Sequence, residues 1–417
     1  MSAVASGSAD TFGPTAPSKR IEILDVLRGF ALFGVLLINM TDLAGEPVLR
    51  LDFPGGTDPL DAFAIEFFVE KRFMALFSLL FGVGVALQIQ RAMERDVPFL
   101  GTFTRRMLIL IGFGMVHFLF YRGDILTRYA IVGMLLVPFY RLPVRWITLS
   151  AAFFLVAHSL LPLAFDSIPA VHAAIGHVRD SLQFLPPANE TCGQLHAEFG
   201  RSFRNVYAHA SFVQMRTMEA CRFPWEASGW IGGTMILTLF LVGLAFGKAR
   251  FFDRIDALVP RITRGTAVAL IFGFTILGLR YLVPEDASGF ADAGSRFLGT
   301  TGVTLTALGY AGVLILLFRT TPGHRVLYPL AAIGRMALTI YIGQSVLSAW
   351  LFQGWGMGWG NYPGLRALVP LAAAIYLSEV ILCNAWLRYF RFGPLEWLWR
   401  SLTYWKIQPM LKAPRQS

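Results

Sequence analysis

The chain has 417 residues, of which 55% are hydrophobic and 15% are charged, and its mean hydropathy is +0.56. A soluble domain averages about 25% charged residues, so this composition excludes an ordinary soluble domain and predicts an integral membrane protein. The net charge of +10 does not indicate nucleic-acid binding, because the basic residues lie between apolar segments and form no stripe.

The N-terminal segment, residues 1–19, is mostly small and polar and contains proline and glycine. It lacks the apolar core of a signal peptide. We therefore expect a disordered cytoplasmic tail, and we expect the first apolar helix to direct membrane insertion.

A membrane-spanning helix needs roughly 20 mostly apolar residues, and ten segments approach or exceed that length. The fourth is short, and the second begins with a charged turn. The pattern predicts an all-α, polytopic integral membrane bundle of about ten transmembrane helices. The predicted spans are 23–41, 65–90, 103–121, 125–140, 146–164, 229–248, 265–283, 296–318, 328–352 and 366–387.

The segments that connect these spans alternate in charge. Arginine and lysine accumulate after spans two, four, six, eight and ten, whereas the segments after spans one and seven are acidic. By the positive-inside rule, this alternation predicts that both termini lie in the cytoplasm, which requires an even number of spans.

One long polar segment, residues 165–228, is predicted to be a periplasmic loop with amphipathic helices. It separates an N-terminal five-helix membrane half, 20–164, from a C-terminal five-helix half, 229–412. The four histidines of the loop have no compact ligand spacing, so no metal site is predicted. Cys192 and Cys221 both lie in this loop, and a disulfide between them is left open.

Ionisable side chains at membrane depth cost about 2.5–3.5 kcal/mol each on insertion scales, so they usually pair with one another or line a site. One group of them lies near the predicted cytoplasmic face. Within it, Asp25 and Arg28 share a helix face, and Gly29 would let another helix or a ligand approach closely. The structural alternative is a helix-start acid with arginines that snorkel to the lipid interface. This inner group consists of Asp25, Arg28, Arg105, Arg106 and Arg335.

A second group lies toward the predicted periplasmic face, and its most informative segment is GMVHFLFYRGDILTRYA. His117 and Asp124 lie seven residues apart there, and either a helix or a short hairpin would bring them together. A carboxylate that orients an imidazole makes a general base. The alternatives are a histidine that bridges two helices and polar side chains that only join helices. This outer group consists of Asn39, Glu70, Lys71, Arg72, His117, Arg122, Asp124, Arg128 and Tyr129, with Gln344 near mid-membrane.

Five segments carry a family resemblance: LDVLRGFALFGVLLINM, EKRFMALFSLLFGVG, RRMLILIGFGMVHFLFYRGDILTRYA, GRMALTIYIGQS and RFGPLEWLWRSLTYWK. In this order, over residues 20–412, they resemble the bacterial membrane proteins of the DUF418 (YeiB-like) family. That family is similar to the transmembrane acyltransferases, which include the lysosomal heparan glucosaminide acetyltransferase. The shared opening is D-x-x-R-G followed by an asparagine, here Asp25, Arg28, Gly29 and Asn39. The resemblance implies transfer of an acyl group, commonly acetyl from cytoplasmic acetyl-CoA, to an acceptor across the membrane.

The sequence departs from the lysosomal enzyme at one point. That enzyme has a catalytic histidine shortly after the asparagine, whereas residues 40–60 of this chain contain no histidine. Either His117 has taken over the role of the base, or this branch performs other chemistry.

The first function hypothesis is therefore an integral acyltransferase of the bacterial inner membrane. The inner group would bind the phosphates of acyl-CoA, because guanidinium matches phosphate bidentately. His117, oriented by Asp124, would be the base, Asn39 would donate to the thioester oxyanion, and Glu70 would orient Arg72 or His117. The expected acceptor-binding residues are Arg72, Arg122, Arg128, Tyr129 and Gln344.

The second hypothesis is a transporter or exporter of a small solute or lipid, since intramembrane charge is equally expected there. The two halves show no clear pair of Gly/Pro-broken spans, which would indicate an inverted repeat. A membrane scaffold is a third, weaker reading. The expected partners are the lipid bilayer, acyl-CoA and an unidentified saccharide or small-molecule acceptor, and a homodimer is left open.

Overall fold

The computed structural model describes residues 21–44, 59–167, 209–217, 232–284, 288–359 and 365–412. The predicted cytoplasmic tail, Cys192, Cys221 and most of the predicted periplasmic loop lie outside these ranges. Within them the chain is helical and has no β-strand, apart from one isolated antiparallel bridge between Phe390 and Leu411. The predicted all-α class is confirmed.

We number the helices that position the site and its surroundings in chain order. They are α1 Glu22–Leu43, α2 Pro59–Phe68, α3 Arg72–Glu94, α4 Phe99–Phe118, α5 Leu126–Met134, α6 Val144–Ser167, α7 Gly232–Lys248, α8 Ile255–Arg280, α9 Phe290–Phe318, α10 Thr321–Leu327, α11 Leu330–Arg335, α12 Ala337–Phe352, α13 Leu365–Tyr389 and α14 Pro394–Tyr404. Two short 3₁₀ turns, Val137–Phe139 and Phe251–Arg254, follow α5 and α7.

Seven helical stretches of the described chain are long and apolar enough to cross a membrane, and two shorter apolar helices accompany them. The protein is therefore a polytopic membrane protein. The long stretches are Glu22–Leu43, Phe63–Glu94, Phe99–Phe118, Val144–Leu161, Phe251–Arg280, Phe290–Phe318 and Leu365–Tyr389, and the shorter ones are Gly233–Lys248 and Ala337–Phe352. The count of ten spans and the cytoplasmic termini stay predictions.

The predicted fourth span, 125–140, is not one long helix. It consists of α5, which has nine residues, and the 3₁₀ turn Val137–Phe139 with Pro138 inside it. At 1.5 Å per residue α5 is about 13 Å long, well short of a hydrocarbon core of about 30 Å. The helix instead packs inside the bundle, where Tyr129 and Ala130 are buried.

The charged turn at the start of the predicted second span is a helix break. α2 ends at Phe68 and α3 begins at Arg72, and between them Lys71 has a left-handed backbone with φ of 64°. The buried guanidinium of Arg72 donates to the carbonyl oxygens of Glu66 and Glu70, both at 2.6 Å. These bonds satisfy carbonyls that the break leaves without helical partners, because the last turn of a helix has no intrahelical donors.

α1 lies at the centre of the bundle and packs against α3, α9, α11, α12 and α13. Two glycines allow its close crossing with α11. A Cβ on Gly29 would overlap the carbonyl of Leu330, and one on Gly334 would overlap the carbonyl oxygen of Asp25. Tyr376 of α13 donates to the carbonyl oxygen of Gly29 at 2.6 Å. The D-x-x-R-G turn and the G-R-M segment are thus one packing unit.

Small residues also allow α3 and α7 to pack closely. A Cβ on Gly82 would overlap the carbonyl oxygen of Phe240, and one on Gly243 would overlap that of Leu79. The LFGVG segment therefore serves helix packing, as small residues commonly do between membrane helices.

Candidate functional site

A cavity of about 560 Å³ lies beside α1, within the range of about 300–1,000 Å³ that small-molecule sites usually have. Its walls come from α1, α3, α4, α5, α11, α12 and α14. The lining residues of α1 recur every three or four positions, so one face of this helix follows the cavity: Asp25, Arg28, Leu32, Val35, Asn39 and Asp42. Asp25 to Asp42 covers about 25 Å at 1.5 Å per residue. We call the end near Asp25 inner and the end near Asn39 outer, following the orientation that the charge distribution predicts.

The inner end is strongly basic. Arg28 donates to Asp25 at 2.8 Å, so this pair is the i, i+3 ion pair that the spacing predicts. Four further guanidinium groups line the same end, and they come from α3, α4, α11 and α14: Arg91, Arg106, Arg335 and Arg400. Five cations outnumber the two acidic side chains of this end, Asp25 and Glu396, and this favours a ligand with several negative charges.

The second acid of the inner end, Glu396, is committed to a helix terminus. Its carboxyl group accepts from the backbone nitrogens of Leu338 and Thr339, at 2.6 and 3.0 Å, and from the hydroxyl of Thr339 at 2.6 Å. These are unpaired donors of the first turn of α12. Burial raises the pKa of Glu396 above its ordinary value, although the hydrogen bonds act in the opposite direction. Both carboxyl oxygens of Glu396 are therefore engaged by the start of α12.

α14 packs against α4 at the inner end. The guanidinium of Arg106 lies over the ring of Trp399 at 3.8 Å, and the indole nitrogen of Trp399 donates to the carbonyl oxygen of Arg106 at 3.1 Å. Arg105 is not among the described lining residues, and it donates to the carbonyl oxygen of Thr403 at 2.9 Å. Two adjacent arginines thus make similar packing contacts, and of the two only Arg106 lines the cavity.

The middle of the cavity is apolar. Leu32 and Val35 of α1, Phe77 and Phe81 of α3 and Leu110 of α4 form this section. The lining therefore changes from basic to apolar along α1, and it becomes polar again at Asn39. A ligand that fills the whole cavity needs a charged end and an extended, less polar arm.

The outer end is polar and small. The hydroxyl of Tyr121 donates to Oδ1 of Asn39 at 3.2 Å and to Oδ2 of Asp42 at 2.9 Å. Nδ2 of Asn39 is buried and has no hydrogen-bond partner among the described residues. Glu70 and Lys71, 3.5 Å apart, line the same end. An unused amide donor beside a cavity is suited to a developing negative charge.

His117 and Asp124 form a buried pair behind the outer end. Nδ1 of His117 lies 2.8 Å from Oδ1 of Asp124, and neither side chain is more than 2% exposed. Asp124 also accepts from the backbone nitrogens of Leu126 and Thr127, at 3.1 and 2.9 Å, and so caps α5. The carboxylate is fixed by the helix that follows it, and it fixes the imidazole in turn.

Nε2 of His117 is the nitrogen left for chemistry, and it has no hydrogen-bond partner among the described residues. His117 is not among the described residues that line the cavity. Tyr121 and Tyr341 do line it, and their ring centroids lie 5.9 and 4.9 Å from that of the imidazole. The predicted base therefore lies one side chain behind the cavity wall.

Comparisons with known proteins identify the family. The model of the family described as "Protein of unknown function (DUF418)" matches residues 246–406. The chain is 31% identical over 416 residues to the "Uncharacterized 39.9 kDa protein in amylase 3'region" of Bacillus acidopullulyticus, covering 95% of this chain and 98% of that protein. The chain belongs to the DUF418 family.

Two further relatives extend over nearly the whole chain. "Uncharacterized protein YxaH" of Bacillus subtilis (strain 168) is 28% identical over 417 residues, with 96% of this chain and 98% of that protein covered. "Uncharacterized protein YeiB" of Escherichia coli (strain K12) is 25% identical over 391 residues, with 91% and 95% covered. The predicted resemblance to the DUF418 family is confirmed.

The cavity of this DUF418 protein brings together half of the predicted site residues. Those that line it are Asp25, Arg28, Asn39, Glu70, Arg106, Tyr129 and Arg335. The other predicted residues are not among the described lining residues: Arg72, Arg105, His117, Arg122, Asp124, Arg128 and Gln344. Arg72 is used at the α2–α3 break, and Gln344 donates to Glu379 of α13 at 2.6 Å. The Glu70 carboxylate lies near Lys71, and it is the Glu70 carbonyl that meets Arg72.

Several lining residues were not predicted as part of the site. On α14, Glu396, Arg400 and Tyr404 lie four residues apart and therefore share a face, a spacing that the sequence displays. Arg91 and Arg400 belong to the basic segments after predicted spans two and ten, whose charge indicated only topology. Tyr121 and Asp42 carry no motif, and only the fold reveals their contact with Asn39.

Proposed function

We propose that this protein is an integral acyltransferase of the bacterial inner membrane. It moves an acyl group, acetyl in the simplest case, from cytoplasmic acyl-CoA to an acceptor at the periplasmic side. The observation that carries the proposal is the order of polarity along one cavity: five arginines, an apolar section, then an amide donor with a histidine–carboxylate pair behind it.

The three parts of acyl-CoA match the three sections of the cavity in order. Its phosphates pair with Arg28, Arg91 and Arg106 at the inner end, and its pantetheine arm follows the apolar section along α1. An extended arm reaching from Arg28 to Asn39 covers about 16 Å at 1.5 Å per residue. The thioester then lies beside Asn39 and Tyr121.

The chemistry is a transfer between two nucleophiles. The acceptor oxygen or nitrogen forms a bond to the thioester carbonyl carbon while its proton passes to Nε2 of His117. The C–S bond then breaks, and the CoA thiolate takes up that proton. Nδ2 of Asn39 donates to the oxyanion, and Asp124 holds the imidazole in place. The side chain of Tyr121 or Tyr341 must move aside for the acceptor to reach His117.

Calorimetry with acetyl-CoA on the detergent-purified protein tests the donor site. Arg106→Ala and Arg105→Ala are a matched pair, because both arginines contact α14 and only Arg106 lines the cavity. We expect saturable binding that Arg106→Ala weakens about tenfold or more and Arg105→Ala leaves nearly unchanged. No binding to folded wild-type protein, or equal loss in both variants, would contradict the proposal.

The alternative is a transporter of a solute or lipid, and the polar lining at both ends of the cavity favours it. A small polar solute would have to cross the apolar section at Leu32, Phe77 and Phe81. Release of free CoA thiol that requires an acceptor separates the two functions, because a transporter consumes no thioester.

A further inference from the structure

A polar stripe runs along α12, beginning at Tyr341 in the cavity wall and continuing over residues that are not among the described lining residues. Tyr341, Gln344, Ser345 and Ser348 lie three or four residues apart and share one face of the helix, and Gln353 follows directly after its end. All five are buried, with exposed fractions of 4% or less. Buried polar side chains in an otherwise apolar membrane helix are costly, so they usually have a function.

Three polar atoms of this stripe have no hydrogen-bond partner among the described residues: Oε1 of Gln344, Oγ of Ser348 and Nε2 of Gln353. The other polar atom of each glutamine side chain has a hydrogen-bond partner. Nε2 of Gln344 donates to Glu379 at 2.6 Å, and Oε1 of Gln353 accepts from the indole of Trp355 at 2.7 Å. Buried polar groups of this kind are usually satisfied by ordered water.

Ser348 differs from its neighbour on the same face. The hydroxyl of Ser345 donates to the carbonyl oxygen of Tyr341 at 3.1 Å, the usual bond of a serine inside a helix. The hydroxyl of Ser348 makes no such bond and is fully buried. Its donor and both acceptor positions therefore remain available to a water molecule beside the helix.

The first residue of the stripe, Tyr341, lies beside His117. The Tyr341 and His117 ring centroids are 4.9 Å apart, and the hydroxyl of Tyr341 accepts from the backbone nitrogen of Ile125 at 3.3 Å, so its own hydrogen remains to be donated. Nε2 of His117 has no partner among the described residues and does not line the cavity. The unpartnered nitrogen of His117 therefore belongs to a ring that lies beside Tyr341, the first residue of the stripe.

We propose that a file of ordered water molecules follows this stripe from His117 and Tyr341, past Gln344 and Ser348, to Gln353, and connects the imidazole with the outer face separately from the cavity. Gln344 and Ser348 are one turn apart, about 6 Å along the axis, a gap that one or two water molecules bridge. The titratable groups that face the path are Asp124 at Nδ1 of His117, Tyr121 and Tyr341 beside its ring, and Glu379 at Gln344.

The water file needs no acyltransferase activity to exist, but its meaning for His117 rests on the proposed function. It keeps Nε2 of His117 in contact with water of the outer side while the donor occupies the cavity, and the proton of each transfer still passes to the CoA thiolate. It also supplies the donors and acceptors that Gln344, Ser348 and Gln353 lack.

Hydrogen–deuterium exchange of glutamine side-chain amides tests the path on the full chain in lipid nanodiscs. The protein is labelled with ¹⁵N-glutamine, and the signals are assigned with Gln344→Leu and Gln353→Leu. We expect both amides to exchange within minutes of transfer to D₂O despite their burial, since exchange reports solvent access. Ser348→Val fills the path between them, so it should slow Gln344 about tenfold or more and leave Gln353 unchanged.

Ser159→Val is the matched control, because it adds the same bulk at a buried serine of α6, away from α12, whose hydroxyl already donates to the carbonyl oxygen of Leu155 at 3.2 Å. It should change neither rate, and Ser348→Ala, which adds no bulk, should leave Gln344 fast if Ser348→Val fails to fold. Protection of wild-type Gln344 for hours, or equal slowing by both valine variants, would overturn the water file. Fast, Ser348-dependent exchange in a protein that binds no acetyl-CoA would instead overturn the proposed function and leave the water file standing.

Discussion

The inner end of the cavity gathers five guanidinium groups from five helices, whereas the outer end depends on two single side chains, Asn39 and His117 behind it. Removing one of five cations leaves four, so we expect loss at the inner end to be graded. Among the described residues, no second amide donor or imidazole accompanies Asn39 and His117 at the outer end. Replacing either one should therefore remove its proposed role in acyl transfer. Under the proposed function, donor binding and acyl transfer therefore depend on opposite ends of α1.

His117→Ala should have the largest effect. It removes the base, so transfer should fall by a factor of about 10² to 10⁴ while affinity for acetyl-CoA stays unchanged. His158→Ala is the control, because His158 bonds to Thr234 at 2.8 Å and is not among the described lining residues. The measurement is acceptor-dependent thiol release beside calorimetry. Equal activity of wild type and His117→Ala would remove His117 from the mechanism.

Asn39→Ala should have the second-largest effect on the rate of transfer. The change removes the only unpaired amide donor that the described lining residues present at the outer end, so turnover should fall by a factor of about 10² to 10³. Donor affinity should hardly change, because the phosphates bind about 16 Å away. Single-turnover kinetics separate the two quantities. A variant that loses donor affinity and keeps its rate constant would reverse the assignment of the two ends.

Arg28→Ala and Arg106→Ala should each weaken acetyl-CoA binding by about 1.5–3 kcal/mol, the usual contribution of a hydrogen bond to a charged group. Binding should also weaken with added salt, because the paired charges are screened. Calorimetry at two ionic strengths checks both effects. Salt-independent binding would show that the arginines serve topology and not the ligand.

Tyr121→Phe should have the smallest effect. It removes the hydroxyl that orients Asn39 and keeps the ring beside His117. The activation free energy of transfer should therefore rise by about 0.5–1.5 kcal/mol, and turnover should fall accordingly. Steady-state kinetics with a fixed donor concentration give this number. A loss as large as that of Asn39→Ala would mean that Tyr121 itself takes part in the chemistry.

The sequence predicted the parts of this molecule that depend on local spacing. Apolar length indicated the long spans, three-residue spacing indicated the Asp25–Arg28 pair, and a seven-residue spacing indicated the His117–Asp124 pair. The cavity ends could be named from Arg28 and Asn39 because both lie on one helix.

What the sequence did not reveal depends on packing between distant segments. Arg91 and Arg400 have many equally basic neighbours, and only the docking of α14 shows which arginines line the cavity. The location of His117 behind Tyr121 and Tyr341 likewise follows from helix contacts across 216 residues of chain, as in the bond between Ile125 and Tyr341. Hydropathy also could not separate Arg105 from Arg106.

Disulfide capture of CoA tests the central claim most directly, because it locates the thiol inside the cavity. The three native cysteines are replaced by alanine, and one new cysteine is placed at the outer end, Ile38→Cys, or at the inner end, Gln88→Cys; both positions line the cavity. After mild oxidation with CoA, mass spectrometry counts the mixed disulfide. We predict capture by Ile38→Cys, abolished by excess acetyl-CoA, and little by Gln88→Cys. Capture at Gln88→Cys alone, or at neither position in folded protein, would contradict a donor that enters at the arginines and reacts beside Asn39.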